Sequence, residues 1–296
     1  MKQESHTFWN NMDLKENVQH GNILFPLEKY SVTFNDLAPF LMMHWHPEME
    51  LTQVIDGHGT YSIDLQEYEV GEGDYICVQP NLLHAARITP HSSLTTDTFV
   101  FHLNLLGTSS ADICALHYFS PLKKGKVMLP HIIRKGDVVY SDFSQTFHKL
   151  MECYQNKSIG YELEIKSLLF HMFTLLLSHP QTHQAETDDS HNERMKLVFG
   201  YIREHFAENI SIEDVAELCC ISSSHFMHYF KEKTGLTFNQ YLNQYRLRNV
   251  SVLLQQQTPI AEAAYASGFN NLPYFYKRFQ EYYHMTPRKF QELNKI

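Results

Sequence analysis

The sequence predicts an α+β chain of more than one domain. An antiparallel β-barrel with two flanking helices comes first, and an all-α domain built on two helix-turn-helix units follows. Three observations carry this. Residues 22–105 alternate apolar and polar positions in short runs broken by turn residues, as strands of a barrel or sandwich do. Residues 137–178 and 212–290 instead repeat apolar residues at helical spacing. The apolar pattern of residues 212–237 also recurs 48 to 49 residues downstream.

Composition sets outer bounds. At 296 residues, 43% hydrophobic and 19% charged, the chain suits two ordinary globular domains. The longest apolar run, Leu168 to Leu177, is interrupted by His171 and Thr174 and falls short of the roughly 18 residues a membrane span needs. The opening MKQESHTFWNNMD lacks an apolar signal core, so a cytoplasmic protein is expected, with no membrane partner. Cys77, Cys114, Cys153, Cys219 and Cys220 show no C-x-x-C spacing and are odd in number, which fits a reduced compartment. Charge divides unevenly. Residues 193–296 hold 12 Lys+Arg against 10 Asp+Glu, net +2, and residues 1–192 hold 12 against 23, net −11. Any nucleic-acid contact therefore belongs to the C-terminal part.

The N-terminal domain is read as residues 1–178. Its strands are expected at Phe25 to Phe34, His44 to Val54, Gly59 to Leu65, Glu67 to Val70, Asp74 to Val78, Ala85 to Ile88 and Thr98 to Leu103. Asp56-Gly57, Gly71-Glu72-Gly73 and Pro80-Asn81 are read as the turns. His44, His46 and Glu50 share parity, so on one extended strand they face the same way, and Trp45 faces the other. Two helices follow. Asp137 to Asn156 carries Phe143, Phe147, Leu150 and Tyr154, and Tyr161 to Ser178 carries Leu163, Leu168, Leu169, Met172, Phe173 and Leu176. Either both pack on the barrel, or at least one forms a homodimer seam. His179 to Asn192 contains no large aliphatic or aromatic residue and is read as a linker, 179–192.

H-x-H-x3-E with a later histidine, His84, inside such a barrel resembles the cupin family over roughly residues 22–105. Some cupins hold a metal through these positions, and three imidazoles with a carboxylate suit Zn, Mn, Fe or Ni. PNLLHAAR from Pro80 departs from the pattern, lacking the glycine usual after that proline. The favoured reading is a metal-free pocket in which His44, His46, Glu50, Tyr61 and His84 hydrogen-bond an organic effector, with no cofactor. Imidazoles and a carboxylate exchange hydrogen bonds with hydroxyls, and an aromatic face stacks on a sugar ring, so a sugar is the expected effector.

The C-terminal domain is read as residues 193–296. Helix-turn-helix one spans about 212–233, a connecting helix 238–257, and helix-turn-helix two about 260–283. Gly268 sits where the second turn needs positive φ, and Phe269 plugs the corner. Phe275, Phe279 and Tyr282 are expected to form the buried stripe of the last unit.

Ala264 to Phe269 (A-x-x-x-G-F), Tyr274 to Phe279 (Y-F-x-x-x-F), Thr286 to Phe290 (T-P-x-x-F) and His225 to Gly235 (H-F-x-x-x-F-K-x-x-T-G) resemble the AraC/XylS family of bacterial transcription regulators. The resemblance implies a DNA-binding regulator controlled by a small effector in the N-terminal domain, often dimeric, and no enzyme. His284 stands where many members have a glycine after the helix, and Val250 where alanine is usual. Ser223, Ser224, Met227, His228, Leu272, Tyr276 and Lys277 are the expected base readers, and Lys231, Arg278 and Arg288 the expected phosphate contacts. The expected partners are double-stranded DNA, the effector and a second copy of the chain, with RNA polymerase as a further candidate. The rival reading is a metal-dependent cupin enzyme whose helices serve assembly. A DNA-binding architectural protein without effector is a third, and it predicts an apolar barrel interior.

Overall fold

A computed structural model describes residues 19–107, 112–184 and 190–293. The barrel strands are β1 (Leu27–Phe34), β2 (Phe40–His44), β3 (Met49–Ile63), β4 (Gln66–Gly71), β5 (Tyr75–Val78), β6 (His84–Arg87) and β7 (Leu94–Phe101). Short pairs β8 (Val127–Met128), β9 (Ile132–Ile133) and β10 (His183–Gln184) complete the strands described. Every pairing is antiparallel. One sheet runs β1-β7-β3-β5-β9. The first half of β3 belongs to it, and the second half turns away to pair with β4 and β6, which in turn pairs with β2.

That crossing corrects two expectations. Asp56-Gly57 is not a hairpin turn but lies at a bulge inside β3, where the register with β7 shifts between Val54 and Asp56. Gly57 is required there: its φ is +80°, and a Cβ would lie 2.0 Å from the Ser93 carbonyl oxygen. His44 to Val54 is likewise not one strand. β2 ends at His44, Pro47 lies in a bend, and β3 begins at Met49. Proline lacks the N–H a ladder needs, so pairing stops there.

Helices α1 (Ser120–Lys123), α2 (Tyr140–Asn156) and α3 (Tyr161–Ser178) follow, α1 continuing from a π-turn at Ala115–Phe119. Both α2 and α3 pack on the larger sheet. Phe143, Phe147, Leu150, Ile165, Leu169, Met172 and Phe173 share one buried cluster with Leu51, Tyr75, Phe99 and Phe101. Leu163, expected in the α3 stripe, is instead exposed, as is Phe170. Within the span read as a linker, β10 pairs with β8, and residues 185–189 lie outside the described residues.

The helical domain comprises α4 (Ser190–His205), α5 (Ile212–Leu218), α6 (Ser223–Thr234), α7 (Phe238–Gln255), α8 (Ile260–Ala266), α9 (Leu272–Tyr283) and α10 (Pro287–Leu293). Two cores flank α7. Phe226, Phe230, Phe238 and Tyr241 join α4 residues in one, and Val250, Phe269, Phe275, Phe279 and Phe290 form the other. Val250 fits this second core fully buried. Tyr283 is fully buried in the α9 stripe, whereas Tyr282, although the seventh position returns nearest to Phe275, is only half-buried against the same core. Tyr282 instead packs its ring 5.3 Å from Phe40 of β2.

Candidate nucleic-acid interface and buried side-chain cluster

Each helix-turn-helix unit is set by local capping and then bolted to α7. The Ser211 and Asp214 side chains and backbone amides bond reciprocally to start α5, and Ser222 accepts from the His225 amide to start α6. Asn271 starts α9 by accepting from the Tyr274 amide. His284 ends α9 in the left-handed region at φ +53°, the conformation its glycine-like position demands. Arg246 of α7 donates to the Phe206 and Glu208 carbonyls, both at 2.7 Å, fixing the α4–α5 loop. Three residues on, Asn249 donates to the buried Ser267 hydroxyl at 2.8 Å, which itself donates to the Ala263 carbonyl at 2.8 Å. One helix thus ties down the loop entering the first unit and the turn of the second.

The buried stripes leave the other faces of α6 and α9 open. Ser224, Met227, His228, Tyr276 and Lys277 are exposed, and Ser223 and Leu272 are half-buried. Leu272 packs partly against the second core. Lys231, Arg278 and Arg288 are exposed. Arg278 pairs with Glu281 at 2.9 Å and Arg288 with Glu292 at 3.1 Å, exposed pairs weak enough for a phosphate to displace. Sequence reasoning passed over His225 and Tyr274, exposed in the first turns of α6 and α9. The Tyr274 hydroxyl accepts from Asn243, and Arg278 lies 5.1 Å over its ring. Tyr274 directly precedes the buried Phe275 and so falls on a different face.

In the barrel, His44, His46, Glu50 and His84 converge although they do not share a strand. His44 closes β2, His46 sits in the bend, Glu50 lies on β3 and His84 opens β6 opposite His44. All four are buried, and one donor atom from each lies within 4.8 Å of the others. The His46 Nε2 is 3.0 Å and the His84 Nε2 3.6 Å from Glu50 Oε1. Burial alone would raise the Glu50 carboxyl, but the His84 and His46 imidazoles facing it outweigh that and hold it well below the usual carboxylate range. The barrel interior at this point is polar, unlike the apolar one an effector-free protein would have. Tyr61 is buried nearby, its phenol pushed up by burial and by the Glu50 charge, so it stays a neutral hydroxyl.

The residues fit a metal ion of the kind cupins hold. The His44 Nδ1 lies 2.8 Å from the Met42 carbonyl and the His84 Nδ1 2.9 Å from the Leu82 carbonyl. A carbonyl only accepts, so each Nδ1 carries a proton, and once the ring is neutral its Nε2 offers the lone pair a metal would take. A ligating histidine commonly donates its other N–H to a backbone carbonyl in this way. Glu48 stands 3.6 Å behind the His46 Nδ1, and His20 packs its ring 5.9 Å from that of His46. Neither was found from sequence. Bonds of about 2.0–2.2 Å place donors on opposite sides of an ion about 4 Å apart, comparable with the spread here.

The outer faces of the same strands meet the helical domain. Met43 and Leu83 share a buried cluster with Met195, Val198, Phe199 and Ile202 of α4. Trp45, turned away from the interior as its parity requires, packs on that cluster with Lys196 4.9 Å over its ring. Helix α4 itself was missed, although Met195, Val198, Phe199 and Ile202 sit at the i, i+3, i+4, i+7 spacing that marks a helix.

Comparison with known proteins places residues 39–173 in a family model described as an AraC-like ligand binding domain, and residues 215–293 in one described as a helix-turn-helix domain. An uncharacterized HTH-type transcriptional regulator, YdeC of Bacillus subtilis, is 26% identical over 95% of this chain and 97% of its own. The melibiose operon regulatory protein of Escherichia coli is 23% identical over 97% and 96%. A crystal structure of ToxT from Vibrio cholerae covers 91% of this chain and 99% of its own at a TM-score of 0.44 and 12% identity.

Proposed function

The chain belongs to the AraC family of transcription regulators, and from that premise we propose a two-groove DNA reader whose grip is set by a small effector in the N-terminal barrel. One observation carries the proposal: α7 is hydrogen-bonded to the loop that leads into the first helix-turn-helix unit and to the second unit itself, while the outer faces of α6 and α9 stay open. Ser223, Ser224, Met227, His228, Leu272, Tyr276 and Lys277 read base edges. Lysine 277 donates to guanine O6 or N7, and Leu272 and Met227 touch thymine methyls. Lys231, Arg278 and Arg288 hold phosphates and set register. The chain acts in the cytoplasm as a regulator rather than an enzyme. It works as a homodimer to which Leu163 and Phe170 of α3 offer exposed apolar surface, and RNA polymerase is a further partner.

A sugar is the effector class expected from His44, His46, Glu50, Tyr61 and His84, which bond hydroxyls readily, and a distant relative is named for melibiose. A second reading is favoured by geometry. Donor atoms within 4.8 Å of one another surround one ion more readily than a six-membered ring. A cation held by His44, His46, Glu50 and His84 supplies a fixed positive charge beside the Tyr61 hydroxyl, where it either acts as the effector itself or helps to hold one. Operator DNA selected with the full chain tests the proposal. Sequence-selective binding whose affinity falls steeply with salt is expected, and salt-insensitive or unselective binding overturns it.

A further inference from the structure

The four converging side chains and the seat of the helical domain share two hydrogen-bonded strands. β2 and β6 pair with His44 opposite His84, their rings 4.0 Å apart. Side chains alternate across a sheet. His44 and His84 therefore point to the cluster, while Met43, Leu83 and Ala85 point to α4. Trp45 lies between two cluster residues in the chain, His44 and His46, and its indole is on the α4 side. No main-chain shift at this corner is private to one face.

Building on the regulator reading above, we infer that a divalent first-row cation gathered by His44, His46, Glu50 and His84 sets how α4 and the DNA-binding units dock on the barrel, with the β2–β6 pair as the transmitting element. The direct His46–Glu50 hydrogen bond, 3.0 Å long, must open for both groups to ligate. His44 and His46 then draw on Trp45 from both sides. The wall beyond is close-packed, with Leu83, Met195, Val198 and Ile202 fully buried. Packed interfaces of this kind respond to sub-ångström shifts by re-seating, not by gradual deformation. A second contact lies at the other end of β2. Phe40 meets Tyr282 of α9 at 5.3 Å, and the Arg248 guanidinium of α7 lies 5.6 Å over the Phe40 ring. Strand β2 thus touches α4, α7 and α9, which together hold both readers.

The test uses the full chain with Trp9→Phe, which leaves Trp45 as the one indole of the two in the sequence. Zn(II) is the probe, because a closed-shell ion does not undergo redox chemistry at the indole. Protein stripped with EDTA is titrated with Zn(II) while bound metal, Trp45 emission and operator affinity are read. The expected result is one Zn(II) per chain, an emission shift saturating at one equivalent, and at least about a fivefold change in operator Kd, the lower end of ordinary allosteric coupling. Glu50→Gln is expected to abolish all three together. Should that variant fail to fold, cycling the starting protein between EDTA and Zn(II) makes the same comparison. Zn(II) binding that moves neither Trp45 nor operator affinity overturns the inference, and so does failure to bind Zn(II). A Zn(II)-dependent Trp45 shift without any selective DNA binding supports the docking change and overturns the regulator reading instead.

Discussion

Replacing Gly268 by alanine probes the coupling of the second reader to the rest of the helical domain. Gly268 holds φ at +84°, and a Cβ there would lie 2.8 Å from the Phe206 carbonyl oxygen and 2.9 Å from the Ala207 Cα and carbonyl oxygen. The left-handed conformation alone costs an L-residue about 1–2 kcal/mol. The three close atoms are all backbone, so they cannot swing aside, and relieving them adds about 1–2 kcal/mol. A stiffer unfolded chain returns about 0.4–1 kcal/mol. The net loss is about 1–3.6 kcal/mol, and the displaced loop is the one Arg246 holds from α7. The equivalent position in the first unit gives the opposite sign. Cys220 is left-handed at φ +55° without being glycine. Cys220→Gly recovers about 1–2 kcal/mol of strain and gives back about 0.5–1 to unfolded-state freedom, a gain of up to about 1.5. Urea unfolding of the full chain, followed by the helical signal, measures both. A Gly268→Ala variant within about 0.5 kcal/mol of the parent would refute the reasoning.

Three further outcomes are expected. Asn249→Ala removes the buried bond to Ser267 and lowers stability by about 1–3 kcal/mol, with operator affinity falling further than binding to a site containing only one half; equal losses on both would speak against α7 as the coupling element. Lys277→Ala relaxes preference at one base position by about 1–3 kcal/mol, whereas Arg288→Ala weakens all sequences alike and lowers the salt slope by about one; selection and salt titration separate them. Thr237→Ala removes the side-chain half of the α7 capping box and costs about 1 kcal/mol, read as a lower urea midpoint with an unchanged slope.

Much of this molecule was legible in its residues. The helix-turn-helix units followed from apolar spacing and from Gly268, because helical period and left-handed turns are local properties. The family resemblance marked His284 as a glycine position, and its left-handed φ of +53° is seen only in the structure. The histidine cluster is legible as a set of residues, but strand parity is not what brings its side chains together. Parity on a single strand suggested that His44, His46 and Glu50 face together, yet Pro47 breaks that strand. The side chains meet because β2, β3 and β6 converge, with His44 paired to His84 and Ile63 of β3 also paired to His84. Strand pairing is non-local, so neither that pairing nor the passage of β3 through Gly57 could be read from a window of sequence. Helix α4 had its signal in Met195, Val198, Phe199 and Ile202, but the polar stretch directly before it masks where the helix begins. A seven-residue step approximates two turns, which predicts Tyr282 in the core. The one-residue difference that buries Tyr283 and sends Tyr282 to Phe40 is decided by a partner on another domain.

The central claim is that α7 holds two reading helices so that they enter adjacent major-groove segments on one face of the duplex. Its most direct test is a chemical footprint of the full chain on a selected operator, repeated with five base pairs inserted between the two protected segments. The account predicts two protected major-groove patches about one helical turn, roughly 34 Å, apart, and at least about a tenfold loss of affinity on insertion, since half a turn sends the second segment to the far side. Protection of a single segment, or affinity indifferent to the insertion, would contradict it.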